Sequence, residues 1–352
     1  MIKSLAIRIG IILLWSLILL SIPFVPKLYQ KHDKTIHILA WGDILDPKLL
    51  KAFEEKTGIR VRCSYYSSNA ELLVKLKATK GNEYDLIIPS DYATVMLIQE
   101  GLLQPLDHAK LPYQDVHQGL LGHAYDPESQ YTIPFAWEVF VFGIHQETFK
   151  ERTPSWRLVF DPSCIDYRIA MVNDPVEAIA FASFYLFQDA QTLLNPAKVL
   201  AVRDLLRKQR SVIEAYASFR GDYFLATGSC SLAIASSSYF WRTLRLFPHI
   251  SLLIPEEGTF LTIENFAIPK YSKQTVYTYE LLAYLFTQES MQSHFHTLGF
   301  FPSTWKEPPL DIPQEAAVLM RYFTTYPEKF HFVRELLSQQ QTQELWIDVK
   351  SD

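Results

Sequence analysis

IHILAWGDILDPKLLKAFEEKTG (residues 36–58), IRVRCSYYSSNAELLVKLKATKGNEY (59–84) and DLIIPSDYATVMLIQEGLLQPLD (85–107) follow one another without a gap, and their shared pattern decides the fold. Each opens on a short apolar run, residues 36–40, 59–64 and 86–89, of strand length. Each continues with apolar residues at helical spacing, such as Leu49, Leu50 and Phe53. Asp46 before Pro47 makes an N-cap and first-turn pair, and Gly58 stands where a helix would stop. Strands alternating with helices imply a parallel sheet with right-handed crossovers, and such sheets bind ligands beyond the carboxyl ends of their strands. Those ends carry Trp41, Gly42 and Asp43, then Ser67, Ser68 and Asn69, then Ser90, Asp91 and Tyr92. Aromatic, hydroxyl and acidic groups in these loops read as a binding cleft.

A chain of 352 residues exceeds what one hydrophobic core usually fills, so two lobes are expected. Hydrophobic residues at 49% and charged ones at 20% are those of a globular chain rather than a disordered one. The net charge of −5 argues against nucleic acid as a partner and suits a cationic ligand. There is no internal repeat, low-complexity tract or long linker. Residues 1–26 stand apart: Lys3 and Arg8 precede an apolar stretch over 9–25, closed by Pro26 and Lys27. This is an export signal. The small-x-small cleavage pattern is not clear around Ser21, no cysteine is placed to take a lipid, and the stretch is a little short of the ~20 residues of a spanning helix. A cleaved signal peptide and an uncleaved signal anchor therefore both stay open. Either way the folded part is expected in the periplasm, with the N-terminal segment as its one membrane contact and, if uncleaved, its anchor in the inner membrane.

Cys63, Cys164 and Cys230 are too few and too widely spaced for a disulfide framework or a metal site. Cys63 and Cys230 read as buried small hydrophobes, and one disulfide remains open. No GxSxG, HExxH, GxxxxGK[ST] or CxxC occurs, and the ten histidines form no ligand-spaced set. His294 and His296, two apart, suit a strand rather than a helix face. No catalytic residue, metal ligand or cofactor is expected, and an enzyme is the remote alternative.

The 36–107 run, with YTIPFAWEVFVFGI (131–144), MVNDPVEAIAFA (171–182) and IPEEGTFLTIENFAIP (254–269), resembles the periplasmic spermidine/putrescine-binding proteins of ABC importers. The resemblance covers roughly residues 36–305, as four blocks in order rather than one fingerprint. It implies an α/β chain with the two-lobed periplasmic-binding-protein fold, each lobe a mixed, mainly parallel sheet flanked by helices, with a hinge. Segment order assigns 35–140 plus 265–300 to lobe one and 141–264 plus 301–350 to lobe two. The tail over 313–346 reads as helices on the second lobe, with Leu336 and Leu337 on one face. The implied partners are a polyamine and the membrane subunits of an ABC transporter, and the chain is expected to be a monomer.

A polyamine offers compact, strongly hydrated ammonium groups on an aliphatic chain, so its site needs carboxylates, hydroxyls and aromatic faces. Carried over by the resemblance, Trp41 packs on the ligand chain, Ser90 and Tyr92 are the hydroxyl pair of the third loop, and Asp174 and Glu177 hold amines from the second lobe. Glu264 matches a further acid, and Phe300 falls where the family has a tyrosine. The chain departs from the pattern at Ser236 and Thr262, which replace tryptophans, and at Ile44, which replaces a tyrosine. In exchange, acids stand at Asp91 and Glu138, Asp43 in the first loop is a further binding candidate, and Tyr239 is placed to refill part of the aromatic wall. Fewer walls and more acids leave open a shorter diamine, a guanidino compound or a basic amino acid. Ferric iron or an anion on the same fold is the other alternative. It is disfavoured because adjacent Tyr65 and Tyr66 would face opposite sides of a strand and because the second-lobe loop is acidic.

Overall fold

In a computed structural model, described for residue 15 and residues 34–149, 152–189, 192–217 and 220–351, eight of the eleven strands run in the order β2-β1-β3-β9-β4-β7-β5-β6, and the other three pair with β4 or β9 off this path. The expected N-terminal signal over residues 1–26 lies outside the described residues apart from residue 15. Strand β1 (Thr35–Trp41) pairs in parallel with β2 (Arg60–Tyr66) and β3 (Leu86–Ile87), as alternating strands and helices require. Helices α1 (Pro47–Thr57), α2 (Asn69–Thr79) and α3 (Asp91–Gln99) follow them. The Asp46 carboxylate accepts from Lys48 N at 2.9 Å and so caps α1, and Gly58 ends it at a φ of 69°, a value glycine takes without strain.

The chain then enters β4 (Thr132–His145), fourteen residues of which all but the last are buried. A strand apolar on both faces belongs at the centre of a sheet, and β4 serves two. Its residues 132–139 pair antiparallel with β9 (Thr259–Ala267), while 140–145 pair with β7 (Leu232–Ser236) and β8 (Ile250–Leu253). The second sheet continues through β5 (Ile169–Val172) to β6 (Ile213–Ala217). Helices α4 (Pro175–Phe187) and α5 (Ser237–Leu246) follow β5 and β7. One apolar cluster holds Ile36, Phe53, Trp137 and Phe301 and runs on to Ala233, Ala235 and Phe240 of the second sheet's side; another, with Phe142, Trp156, Phe181 and Trp346, lies against the second sheet. The fold is α/β, a mixed sheet flanked by helices.

Several expectations change here. The tail divides: helix α8 (Gln314–Thr325) buries Leu319, Met320 and Phe323 in the first cluster, and only α9 (Gln339–Lys350) packs in the second. Leu336 and Leu337 are buried in the second cluster too, but from the connection before α9 rather than from a helix face. Between β9 and α8 the chain forms α6 (Thr275–Leu285) and α7 (Gln288–Leu298). His294 and His296 both lie on α7, not on a strand. His294 is buried and His296 meets Asp311 at the surface. All three cysteines are free thiols, and Cys63 is half-buried rather than buried.

Candidate functional site

The carboxyl ends of β1, β2 and β3 face those of β5 and β7 across the β4–β9 ladder, and a cavity of about 300 Å³ opens between them. From the first sheet, Trp41, Ser67, Ser68, Ser90 and Tyr92 line it, each at a strand end or the helix start beyond it. From the second come Asp174 and Glu177 at the start of α4, with Ser236 and Tyr239 at the start of α5. The ladder supplies Glu138, Phe140, Thr262 and Glu264, and Phe300 closes one side just beyond α7. Nine of the eleven residues expected at the site thus share one cavity.

The other two do not line it. Asp91 is the first residue of α3, and its 2%-exposed side chain lies against a different depression, with Tyr125 and Arg334. Ser90 is the extended N-cap and Asp91 the first helical residue, so Ser90 and Tyr92 reach the cavity while Asp91 turns towards the amides at the start of α3. Burial raises the Asp91 carboxyl to about 7 against the pull of the Ile263, Asp91 and Tyr92 amides. Asp43 is exposed at a φ of 61° and borders a neighbouring hollow with Tyr65 and Glu71. That hollow shares Gly42, Ser67 and Tyr239 with the cavity, which puts Asp43 at its mouth.

Trp41 is half-buried with its ring 4.5 Å from that of Tyr66, whose hydroxyl donates to the Ile88 carbonyl at 2.6 Å. Tyr65, its neighbour on β2, is 56% exposed on the other face. Asp174 caps α4, accepting from Val176 N at 2.8 Å and Glu177 N at 3.1 Å. The cap and the cavity wall are the same residue. Ser238 Oγ donates to Glu138 Oε2 at 2.5 Å. Glu264 Oε2 and Thr262 Oγ1 are buried without a hydrogen-bond partner, each on a side chain that is 6% exposed.

Four carboxylates therefore share the walls, and no Lys, Arg or His is among the lining residues. The consequence is electrostatic. Burial pushes the Glu138 carboxyl up to about 7, opposed by the Ser238 and Ser236 hydroxyls. Burial raises Glu264 well above the usual carboxylate range, and the charges of Glu138 and Asp91 add to it. Glu177 is raised in the same way by burial and by Asp174 and Glu138, and Asp174 by burial against its two capping amides. Yet among the described residues no three of these acids, or of any His, Cys, Asp and Glu, come close enough to hold one metal ion. The negative charge is spread along the cavity rather than focused at a point.

The sequence shows Glu138 as an extra acid without assigning it to the site, and the structure sets it in the cavity wall. The signal was there: it is the one charged residue in a strand otherwise written in apolar, small and hydroxyl residues up to His145. Asn173 and Phe140, also in the wall, carry no such mark.

Residues 48–320 match the family model described as bacterial extracellular solute-binding protein. The spermidine/putrescine-binding periplasmic protein of Salmonella typhimurium is 24% identical over 276 residues, 77% of this chain and 78% of that protein. The putrescine-binding periplasmic protein PotF of Escherichia coli is 28% identical over 273 residues, 72% and 74% of the two chains. Among solved structures, the spermidine/putrescine ABC transporter substrate-binding protein PotD of Streptococcus pneumoniae superposes with a TM-score of 0.73 at 21% identity, covering 90% of this chain and 98% of its own. That likeness is one of fold.

Proposed function

The chain belongs to the bacterial extracellular solute-binding proteins, and on that footing we propose that it captures a linear di- or polyamine of the putrescine–spermidine class and hands it to the membrane subunits of an ABC importer. One observation carries the reading: four carboxylates with no cationic side chain among them, distributed so that no three converge. An elongated ligand with separated ammonium groups matches that distribution, each end taking charge-assisted hydrogen bonds. Trp41 and Tyr92 cover its methylenes and lend cation–π attraction of about 0.5–2 kcal/mol. Asp174 and Glu177 take one end, and the ladder acids take the other.

The competing solutes fit less well. A basic amino acid would bring its own carboxylate into a wall of acids with no cation to receive it. Ferric iron would want converging oxygen ligands and a tyrosine pair, whereas Tyr66 donates to Ile88 O and Tyr65 faces outward. Two lobes, residues 35–140 with 265–300 and helix α8, and 141–264 with helix α9, hinge about β4 and β9 and close on the ligand. The protein acts as a monomer. It works outside the cytoplasm, as the family does, and residues 1–26 either leave as a signal or hold it at the inner membrane. A thermal-shift screen of residues 35–352 against polyamines, basic amino acids, metals and anions tests the reading. Linkage at ligand one hundred times Kd adds about 2.7 kcal/mol, or about 5 °C for a chain of this size.

A further inference from the structure

Glu138 and Glu264 come from the two strands that join the sheets. In the β4–β9 register Glu138 stands opposite Thr262, and Glu264 opposite Ala136. The two acids are therefore diagonal neighbours on one face of the ladder, with backbones about 7–8 Å apart, within reach of each other's side chains. Both side chains are at least nine-tenths buried, and both line the cavity. Glu138 accepts from the Ser238 hydroxyl and is also favoured by that of Ser236, while Glu264 Oε2 and the Thr262 hydroxyl facing Glu138 have no partner among the described residues. Buried polar atoms without partners are costly, and here they cluster at one end of an acid-lined cavity.

We infer that Glu138 and Glu264 form a two-carboxylate seat for one ammonium end of the ligand, and that the seat gives up a proton to solvent as the cation arrives. The inference rests on the polyamine reading and deepens it: it assigns Glu138 to the binding set and makes uptake proton-linked. Two ionised carboxylates cannot both stay buried and unpaired at this separation, so the empty seat holds a proton. An ammonium supplies the missing positive charge and three donors, enough for both carboxylates and the Thr262 hydroxyl. One proton leaves as one cationic end enters the seat, and the charge of the seat is conserved.

The groups facing the pair act in the same direction. Glu177 on α4 and Tyr239 on α5 couple to Glu138, while Asp91 on α3 and Tyr66 on β2 couple to Glu264. Each of these would add negative charge on ionising. The Ser236 and Ser238 hydroxyls and the Trp41 indole favour the ionised carboxylates. Among the described residues no lysine, arginine or histidine lines the cavity to take the cation's place.

The test is calorimetric titration of butane-1,4-diamine into the unmodified protein, Glu138→Gln and Glu264→Gln, in two buffers of different ionisation heat. The unmodified protein is expected to release about one proton per diamine at about pH 6, falling towards none at about pH 8, and to bind about tenfold more tightly at about pH 8 than at about pH 6. Either variant should bind about ten- to a hundredfold more weakly at the higher pH, lose most of the proton release, and flatten the pH dependence. Glu138→Gln without ligand should also melt higher than the unmodified protein at the higher pH, because a buried charge is gone, which a merely structural residue would not do. Glu138→Asp should retain the proton release. Unchanged affinity and unchanged proton release in both glutamine variants would overturn the seat while leaving the polyamine reading in place. Failure of the unmodified protein to bind any diamine would remove both.

Discussion

His294 donates its Nε2–H to the carbonyl oxygen of Ile44 at 2.6 Å, tying α7 to the first cleft loop across 250 residues of chain. Burial lowers the ring to about 4, so it is neutral and able to donate at ordinary pH. One turn on, Thr297 Oγ1 donates to the Asp46 carboxylate that caps α1 at 3.0 Å. The loop that follows Trp41 is thus held at two points by one helix, and Phe300 projects into the cavity from just beyond it.

His294→Ala should therefore lose stability and affinity together. The buried hydrogen bond and packing are worth about 1–3 kcal/mol, and a loosened Trp41 loop should weaken ligand binding about tenfold through lost pre-organisation. The pH sign follows from the lowered ring. The unfolded chain takes up a proton below about 6.5 that the folded His294 refuses until about 4, so its contribution to stability falls as pH drops through that window. Denaturant titrations of His294→Ala and the unmodified protein should converge as pH falls from about 6.5 to about 4; parallel curves would remove His294 as the cause.

The cleft acids have the opposite sign. Their folded carboxyls are raised, so they bind protons that the unfolded chain has already released, and the empty protein loses stability as pH rises above about 4.5, for Glu138 until about 7. A diamine offsets that loss by pairing with the ionised forms. The ligand-induced melting shift should therefore be larger at about pH 8 than at about pH 6. A melting shift that shrinks as pH rises would contradict this.

Asp174 has two roles that one substitution separates. Asp174→Asn keeps an acceptor for the Val176 and Glu177 amides, and Asn caps a helix about as well as Asp. It removes only the charge facing the ligand. The melting temperature without ligand should stay nearly unchanged while diamine affinity falls about ten- to a hundredfold. Wild-type affinity in titration calorimetry would leave Asp174 as a cap alone.

The β1–α1–β2–α2–β3–α3 run was legible because short apolar runs, helical spacing, Asp46–Pro47 and Gly58 all favour the same structure locally. Where local signals and tertiary context part, reading fails. Asp91 looks like its neighbours in the PSDY loop, but helical rotation turns it away from the cavity and towards Arg334, which lies more than two hundred residues later. Leu336 and Leu337 are apolar neighbours within a helix-rich tail, yet they are buried from a connection, because the cluster against the second sheet takes them up without helical geometry. Glu138 sits in a run apolar enough to read as a plain crossing strand; its role depends on Thr262 and Ser238, which pairing brings to it from afar.

Chain-length selectivity should be weak. Ser236 and Thr262 leave short hydroxyl side chains where aromatic walls would cover ligand methylenes. A fully covered methylene contributes about 0.8 kcal/mol, so spermidine should gain less than about tenfold over putrescine, and Ser236→Trp should shift preference to the longer amine. Competition titrations decide it. A spermidine preference above about a hundredfold in the unmodified protein would mean that Tyr239, half-buried at the mouth, closes the gap.

The central claim is that the cleft recognises separated positive charges without any anionic partner group. Isothermal titration of residues 35–352 with putrescine, lysine and ferric iron, side by side, addresses it most directly. The account predicts one putrescine per chain, with lysine at least about tenfold weaker because its carboxylate meets Glu138, Asp174, Glu177 and Glu264, and no specific iron binding. Lysine or iron binding more tightly than every diamine tried would contradict it.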